Sequence, residues 1–78
     1  MDILWLGYNG LTVLFADVVA VLHYQPALNG RITVAYGNVP SGVQTVVVTA
    51  QGDFFPSRWR VEQVRRSWSI WRIQQSHH

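Results

Sequence analysis

Short runs of β-branched and aromatic residues, separated by glycine-containing turns, make up most of the first fifty residues. The first turn is Gly7-Tyr8-Asn9-Gly10, and Asn-Gly is a strong hairpin signal because both residues tolerate a positive φ. The pattern predicts strands at residues 3–6, 11–15 and 18–24. Asp17 is a polar break between the second and third strands.

Two further strands are predicted in the middle of the chain, at residues 31–36 and 43–49. In the first, Ile32, Val34 and Tyr36 alternate with the other side chains, and a period of two indicates a half-buried strand. The second contains valines 46–48, and three consecutive valines indicate burial on both faces at the centre of a sheet. Loops that each contain a proline are predicted at residues 25–30 and 37–42.

The hydrophobic period changes to that of a helix after Phe54-Phe55. Apolar side chains then recur at spacings of three and four residues, at Val61, Val64, Trp68 and Trp71. This spacing places them on one face of a helix that begins at Trp59 or Arg60, with Ser57 as the nearest candidate N-cap. The pattern leaves open whether residues 68–73 continue the helix or form a terminal strand.

These elements predict one α+β domain over residues 1–73. It comprises a small antiparallel-rich sheet, or a partly open barrel, of five to six strands with one C-terminal helix packed on it. The chain has 78 residues, near the lower size at which one core is sufficient. Residues 74–78 lack periodicity and are predicted to be a disordered tail, in which His77 and His78 are candidates for a tag remnant.

The composition limits the kinds of site that the chain could carry. Cysteine is absent, which excludes disulfides and thiolate metal sites, and His23 lacks partners for a metal site. Neither a secretory signal nor a run long enough for a membrane span is present, so a cytoplasmic location without membrane contact is expected. Hydrophobic residues make up 49% of the chain and include four tryptophans, which predicts burial against further copies of the chain.

All six positive charges are arginines, and most lie in the last third of the chain. Guanidinium groups match the geometry of phosphate better than ammonium groups do. The candidate nucleic-acid-binding residues are Arg31, Arg58, Arg60, Arg65 and Arg66. Two interpretations remain open: a phosphate-binding face with Trp59 stacked on bases or sugars, or the solvated side of an amphipathic helix.

Trp59, Trp68 and Trp71 have the spacing of a core or subunit-interface face, which is the favoured interpretation over a ligand-stacking platform. Catalysis is not indicated, because the four carboxylates are not paired and the hydroxyls have no histidine-aspartate relay. A non-enzymatic protein is therefore expected, without a cofactor, a metal or a small-molecule substrate.

Several segments together resemble the RemA/RemB extracellular-matrix regulators of Gram-positive bacteria, and the RemB branch most of all. The similarity covers most of residues 3–67 and lies in Leu6-Gly7, Asp17-Val18-Val19-Ala20-Val21, Ile32-Thr33-Val34-Ala35-Tyr36-Gly37, Thr45-Val46-Val47-Val48, a turn at Gly52, and Val61-Glu62-Gln63-Val64. None of these segments is a catalytic signature.

The resemblance implies a small α/β module that assembles into rings and binds duplex DNA to activate matrix genes. The RemA branch has DNA-contacting arginines at two places where this chain has Asp17 and Asn38-Val39, so those roles do not transfer. Family members also have a longer, helical insertion where residues 25–30 predict a short loop. The expected function is an oligomeric DNA-binding regulator; the alternative is a self-assembly or protein-interaction module that binds no nucleic acid.

Overall fold

The computed structural model describes residues 2–75 and shows an α+β fold in which five strands form two antiparallel sheets. The elements are β1 (Ile3–Trp5), β2 (Thr12–Leu14), β3 (Val18–His23), α1 (Asn29–Tyr36), β4 (Thr45–Thr49), β5 (Phe54–Ser57) and α2 (Val61–Gln75). Short 3-10 turns precede β3 at Phe15–Asp17 and α1 at Pro26–Leu28.

The first sheet is the predicted hairpin of β1 and β2. Asn9 and Gly10 have φ values of 42° and 72°, so the turn uses the left-handed conformation that the Asn-Gly pair predicts. The N–H of Leu6 donates to the carbonyl of Leu11 at 3.0 Å and closes the loop. The predicted hairpin is confirmed.

The second sheet has the strand order β3-β4-β5. Val46 and Val47 are fully buried in the middle strand, and Val47 lies opposite Val21 of β3 and Phe55 of β5. The predicted central position of the valine run is confirmed. The sheets remain separate, so the partly open barrel is not the architecture.

The prediction of a strand at residues 31–36 is wrong, because this segment forms α1. The helix buries Ile32 completely and leaves Val34 88% exposed, although both lay on the predicted apolar strand face. Ile32 and Tyr36 are spaced by four residues, which suits a helix as well as a strand. Gly37, at a φ of 104°, ends the helix and donates its N–H to the carbonyl of Thr33.

Helix α2 packs on β3, with Val61 and Val64 in the core. It begins at Val61, later than predicted, and Gln63 Oε1 accepts a 3.4 Å bond from the N–H of Arg60. Ser57 is not the cap, since its hydroxyl accepts from the N–H of Trp59 and donates to the carbonyl of Leu6.

The helix continues through residues 68–73 to Gln75. Of the two predictions left open for this segment, the helix is therefore the one observed. The first two residues of the predicted tail are thus helical, and residues 76–78 lie outside the described part of the chain. Within residues 2–75, neither helix has the length and apolarity needed to cross a membrane.

The core lies between the hairpin, β3, β4 and α2. Its buried side chains are Leu4, Leu6, Val13, Phe15, Val18, Val21, Val47, Val61 and Val64. Trp59, Trp68 and Trp71 are half-buried against it. The hairpin and α2 are therefore held together by shared apolar burial, which places the start of the chain beside its arginine-rich end.

Candidate nucleic-acid interface

Arg58 follows β5 directly, and its side chain lies across the hairpin turn. Its guanidinium carbon is 5.1 Å from the centre of the Tyr8 ring, a cation–π distance. A β-carbon on Gly7 would lie 2.4 Å from Arg58 Cγ, so the side chain occupies the space that the glycine leaves empty. Arg58 is exposed to solvent, but these contacts hold its side chain against the hairpin.

Tyr8 connects this hairpin to the loop after α1. Its hydroxyl donates to the carbonyl of Ser41 at 3.0 Å, and its ring lies 6.3 Å from that of Tyr36. Burial raises the pKa of the Tyr8 phenol above the ordinary 10.0, and the neighbouring Arg58 guanidinium opposes this rise without cancelling it.

Arg65 is held against the sheet. Its Nη2 donates to the backbone carbonyl of Val21 at 3.0 Å, which links α2 to β3. Arg72, two turns further along α2, lies over the Trp68 ring at 5.1 Å. Both guanidinium groups therefore make contacts within the molecule.

Arg60 and Arg66 have a different setting. Both are exposed, and they line an open depression of about 570 Å³ together with Glu62 and Gln63. These four residues form what we call the arginine groove. Within residues 2–75, neither arginine forms a salt bridge with a carboxylate. Two guanidinium groups against the single Glu62 leave the groove with a positive charge.

Arg31 lies apart from the groove, on α1. Its guanidinium carbon is 4.9 Å from the centre of the Phe54 ring, and it lines a separate depression with Gly30, Val34 and Gly52. Of the five predicted arginines, the structure therefore brings Arg60 and Arg66 together in one site. Arg31, Arg58 and Arg65 are distributed over three other places.

The three predicted interface tryptophans all make contacts within the molecule. Trp71 stacks on Phe15 with a centroid distance of 5.9 Å, and its Nε1 donates to Asp2 Oδ1 at 3.1 Å. Trp59 Nε1 donates to the carbonyl of Trp5 at 2.9 Å. Trp68 packs on the core beneath Arg72. These contacts explain why the three rings are half-buried in a single subunit.

A small apolar crevice adjoins the arginine groove between β1 and α2. It has a volume of about 210 Å³ and is lined by Leu4, Trp5, Trp59, Gln63, Val64 and Ser67. We call it the tryptophan crevice. Gln63 lines both depressions, so the crevice and the groove adjoin at this side chain. The rings of Trp5 and Trp59 meet edge to face at 5.5 Å and 65°.

Trp5 is a site residue that the sequence analysis missed. It lies in the first predicted strand, where the sequence analysis named no site residue, and 52% of its surface is exposed. The sequence carries no signal for this, because residues 3–6 are all apolar, and only the fold shows that Leu4 is buried while Ile3 and Trp5 face outward.

The outer face of the hairpin is apolar. Ile3 and Leu14 are paired in register and are 48% and 49% exposed, respectively. Their sequence neighbours Asp2 and Phe15 both contact the Trp71 ring. Ile70, which precedes Trp71 in α2, is also 49% exposed. Exposed aliphatic side chains thus flank the contact between the hairpin and the end of α2.

No metal site is present within residues 2–75, since no three histidine, cysteine or acidic side chains lie close enough together to bind an ion. His23 lines a shallow polar depression with Gln44, Arg60, Val61 and Glu62.

Comparison of the chain with protein-family models, with curated proteins and with solved structures finds no match.

Proposed function

We propose that the chain is an oligomeric, non-enzymatic DNA-binding regulator of the RemA/RemB kind, which works in the cytoplasm. The observation that carries this proposal is the arginine groove. Arg60 and Arg66 present two exposed guanidinium groups that have no carboxylate partner in the described structure. Such groups suit the backbone phosphates of nucleic acid, which supply most of the sequence-independent affinity.

The course of the chain agrees in part with the family part of the proposal. The resemblance implies a helical insertion at residues 25–30, and this segment holds a 3-10 turn at Pro26–Leu28 and the first two residues of α1. Tyr36-Gly37 then ends the helix, and the valine run forms the central strand. Most of α1 lies at residues 31–36, beyond that segment, so the departure from the family's longer helical insertion stands.

Self-association is supported by the exposed aliphatic side chains that flank the hairpin and the end of α2. Ile3, Leu14 and Ile70 are each about half exposed in the single subunit. Their burial between copies would remove apolar surface from water. Assembly would also repeat the arginine groove, so that weak contacts by each copy add up on one duplex.

A salt-titrated binding measurement on duplex DNA tests the proposal. The variant Arg60→Gln/Arg66→Gln should bind more weakly than the wild type, and the log–log salt slope should lose roughly 0.9 for each phosphate contact removed. Arg72→Gln is the matched control for a single charge loss, because Arg72 lies on the same helix over Trp68. Absence of salt-dependent binding by the wild type at low ionic strength would refute DNA binding.

The second candidate is a structural self-assembly module without nucleic-acid binding. Arg31, Arg58, Arg65 and Arg72 all contact other parts of the same subunit, which favours this alternative. Sedimentation of the protein used for the DNA titration distinguishes the candidates. A stable oligomer that binds no duplex would support the structural module.

A further inference from the structure

We infer that the tryptophan crevice and the arginine groove together bind single-stranded nucleic acid. An unpaired base packs against Trp5, and the adjoining phosphates contact Arg60 and Arg66. The inference rests on the proposed function, because it uses the same two arginines. It adds the chemical form of the partner, which is an unstacked base with its backbone.

The Trp5 ring is both exposed to solvent and supported by neighbouring side chains. Half of its surface faces solvent, while Leu4 and the fully buried Val64 form part of the crevice lining. Trp59 meets it edge to face, with the centroids 5.5 Å apart. That separation leaves no room for a base between the rings, so a base stacks on the open side of Trp5. Base–aromatic stacking tolerates any sequence, because every base has a π-face.

The size and chemistry of the crevice suit a single base. Its volume of about 210 Å³ is below the roughly 300–1,000 Å³ of sites for drug-sized ligands, and it suits a single planar group. Gln63 and Ser67 lie one helical turn apart on the same wall. Their amide and hydroxyl groups can hydrogen-bond the polar edge of a base.

The apolar crevice and the charged groove lie side by side. Gln63 belongs to both depressions, so a base in the tryptophan crevice has its backbone near the arginine groove. The charge of the groove complements phosphate. In a duplex the bases are stacked on one another and their faces are covered, whereas unpaired nucleotides can offer both a face and a phosphate. The combination therefore favours a single strand over a duplex.

The experiment measures tryptophan fluorescence as an oligothymidylate of about eight nucleotides is added to the full-length protein. Stacking on Trp5 should quench the emission, and the affinity should fall with salt at roughly −0.7 per phosphate contacted. Trp5→Leu should weaken binding by about tenfold or more. The bond from Trp59 goes to the Trp5 carbonyl, so this variant keeps it. Val34→Ala is the control, since Val34 is 88% exposed on α1 and lines neither the crevice nor the groove.

A parallel titration with a blunt-ended duplex of two complementary DNA strands separates the two proposals. Binding of the duplex without binding of the oligothymidylate would overturn the inference and leave the proposed function standing. Binding of neither probe would overturn both. An unchanged oligothymidylate affinity for Trp5→Leu would also overturn the inference, and a changed oligomeric state of that variant would then identify Trp5 as a subunit contact. Selective loss of single-strand binding in Trp5→Leu would support it.

Discussion

At the scale of single residues, the hairpin turn shows how one missing side chain positions another. Gly7 has a φ of 94°, and the space beside its α-carbon is filled by Arg58. Gly10 has a φ of 72° with no atom near its absent β-carbon. The two glycines share a backbone conformation that other residues rarely adopt, but they differ in packing.

The pair provides a matched test. Gly10→Ala should lower the free energy of unfolding by about 1 kcal/mol through backbone strain. Gly7→Ala should cost about 2 kcal/mol or more, because the new β-carbon also displaces Arg58. Urea denaturation of both variants measures the difference. Equal losses would show that the contact between Arg58 and Gly7 contributes nothing to stability.

Tyr8 makes a second residue-scale prediction, which concerns pH. Its pKa is raised in the fold by burial, so the neutral phenol is the form that the fold prefers. This contribution to stability is complete below about pH 10, the unfolded pKa, and is lost as the pH rises through the folded pKa. Tyr8→Phe loses the hydrogen bond to Ser41, which should lower the free energy of unfolding by about 1 kcal/mol. Because phenylalanine does not ionise, the stability of this variant should also fall less steeply with rising alkaline pH than that of the wild type. Parallel alkaline profiles for the two proteins would contradict the prediction.

At the scale of elements, α2 is held by apolar burial and by one polar contact to the sheet. Val61 and Val64 are buried, and Arg65 donates to the carbonyl of Val21 in β3. The neighbouring Arg66 points to the arginine groove. Of these two adjacent arginines, one therefore links α2 to the sheet and the other lines the groove. The helical period alone does not reveal this difference.

This difference predicts unequal effects of truncation. Arg65→Ala should reduce the free energy of unfolding by about 1 kcal/mol, because the Val21 carbonyl loses a charged donor. Arg66→Ala should stay within about 0.5 kcal/mol of the wild type, as is usual for exposed side chains. Thermal and urea unfolding at one salt concentration provide the comparison. A larger loss for Arg66→Ala would reverse the assignment of the two side chains.

At the scale of the whole molecule, the chain combines a small core with an apolar outer face on the hairpin. The core of residues 2–75 is completed by α2, and Ile3 and Leu14 remain about half exposed on the other side of the hairpin. A domain of this size gains stability when such surface is buried between copies.

We therefore expect a closed oligomer in sedimentation equilibrium at micromolar concentration. Leu14→Glu should dissociate it, because a carboxylate cannot be buried between copies without a partner. Val34→Glu is the control, since Val34 is 88% exposed on α1, away from the hairpin face. Circular dichroism would verify that both variants stay folded. A wild-type monomer of about 9 kDa would contradict the expectation.

The amino-acid sequence by itself determined the elements whose signals are local and unambiguous. Asn9-Gly10 encodes the hairpin turn because few other pairs adopt two positive φ values, and valines 46–48 encode a central strand because they are apolar on both faces. The spacing of Val61, Val64 and Trp68 likewise determined the first part of α2, whereas the pattern left residues 68–73 open between helix and strand. Tertiary structure decided the rest, because residues 31–36 fit both a strand and a helical period, and packing of Ile32 in the core selected the helix.

The candidate site was decided in the same way. The sequence predicted an arginine-rich end, but the partners of each guanidinium come from distant segments: Tyr8 for Arg58, Val21 for Arg65 and Phe54 for Arg31. Only the folded structure distinguishes these three arginines, which contact other parts of the molecule, from the two that line the arginine groove. Trp5 joins that site because Trp59, just before α2, donates to its carbonyl, and these two residues are 54 positions apart in the chain. Local patterns specify elements, whereas contacts between distant residues specify the surface.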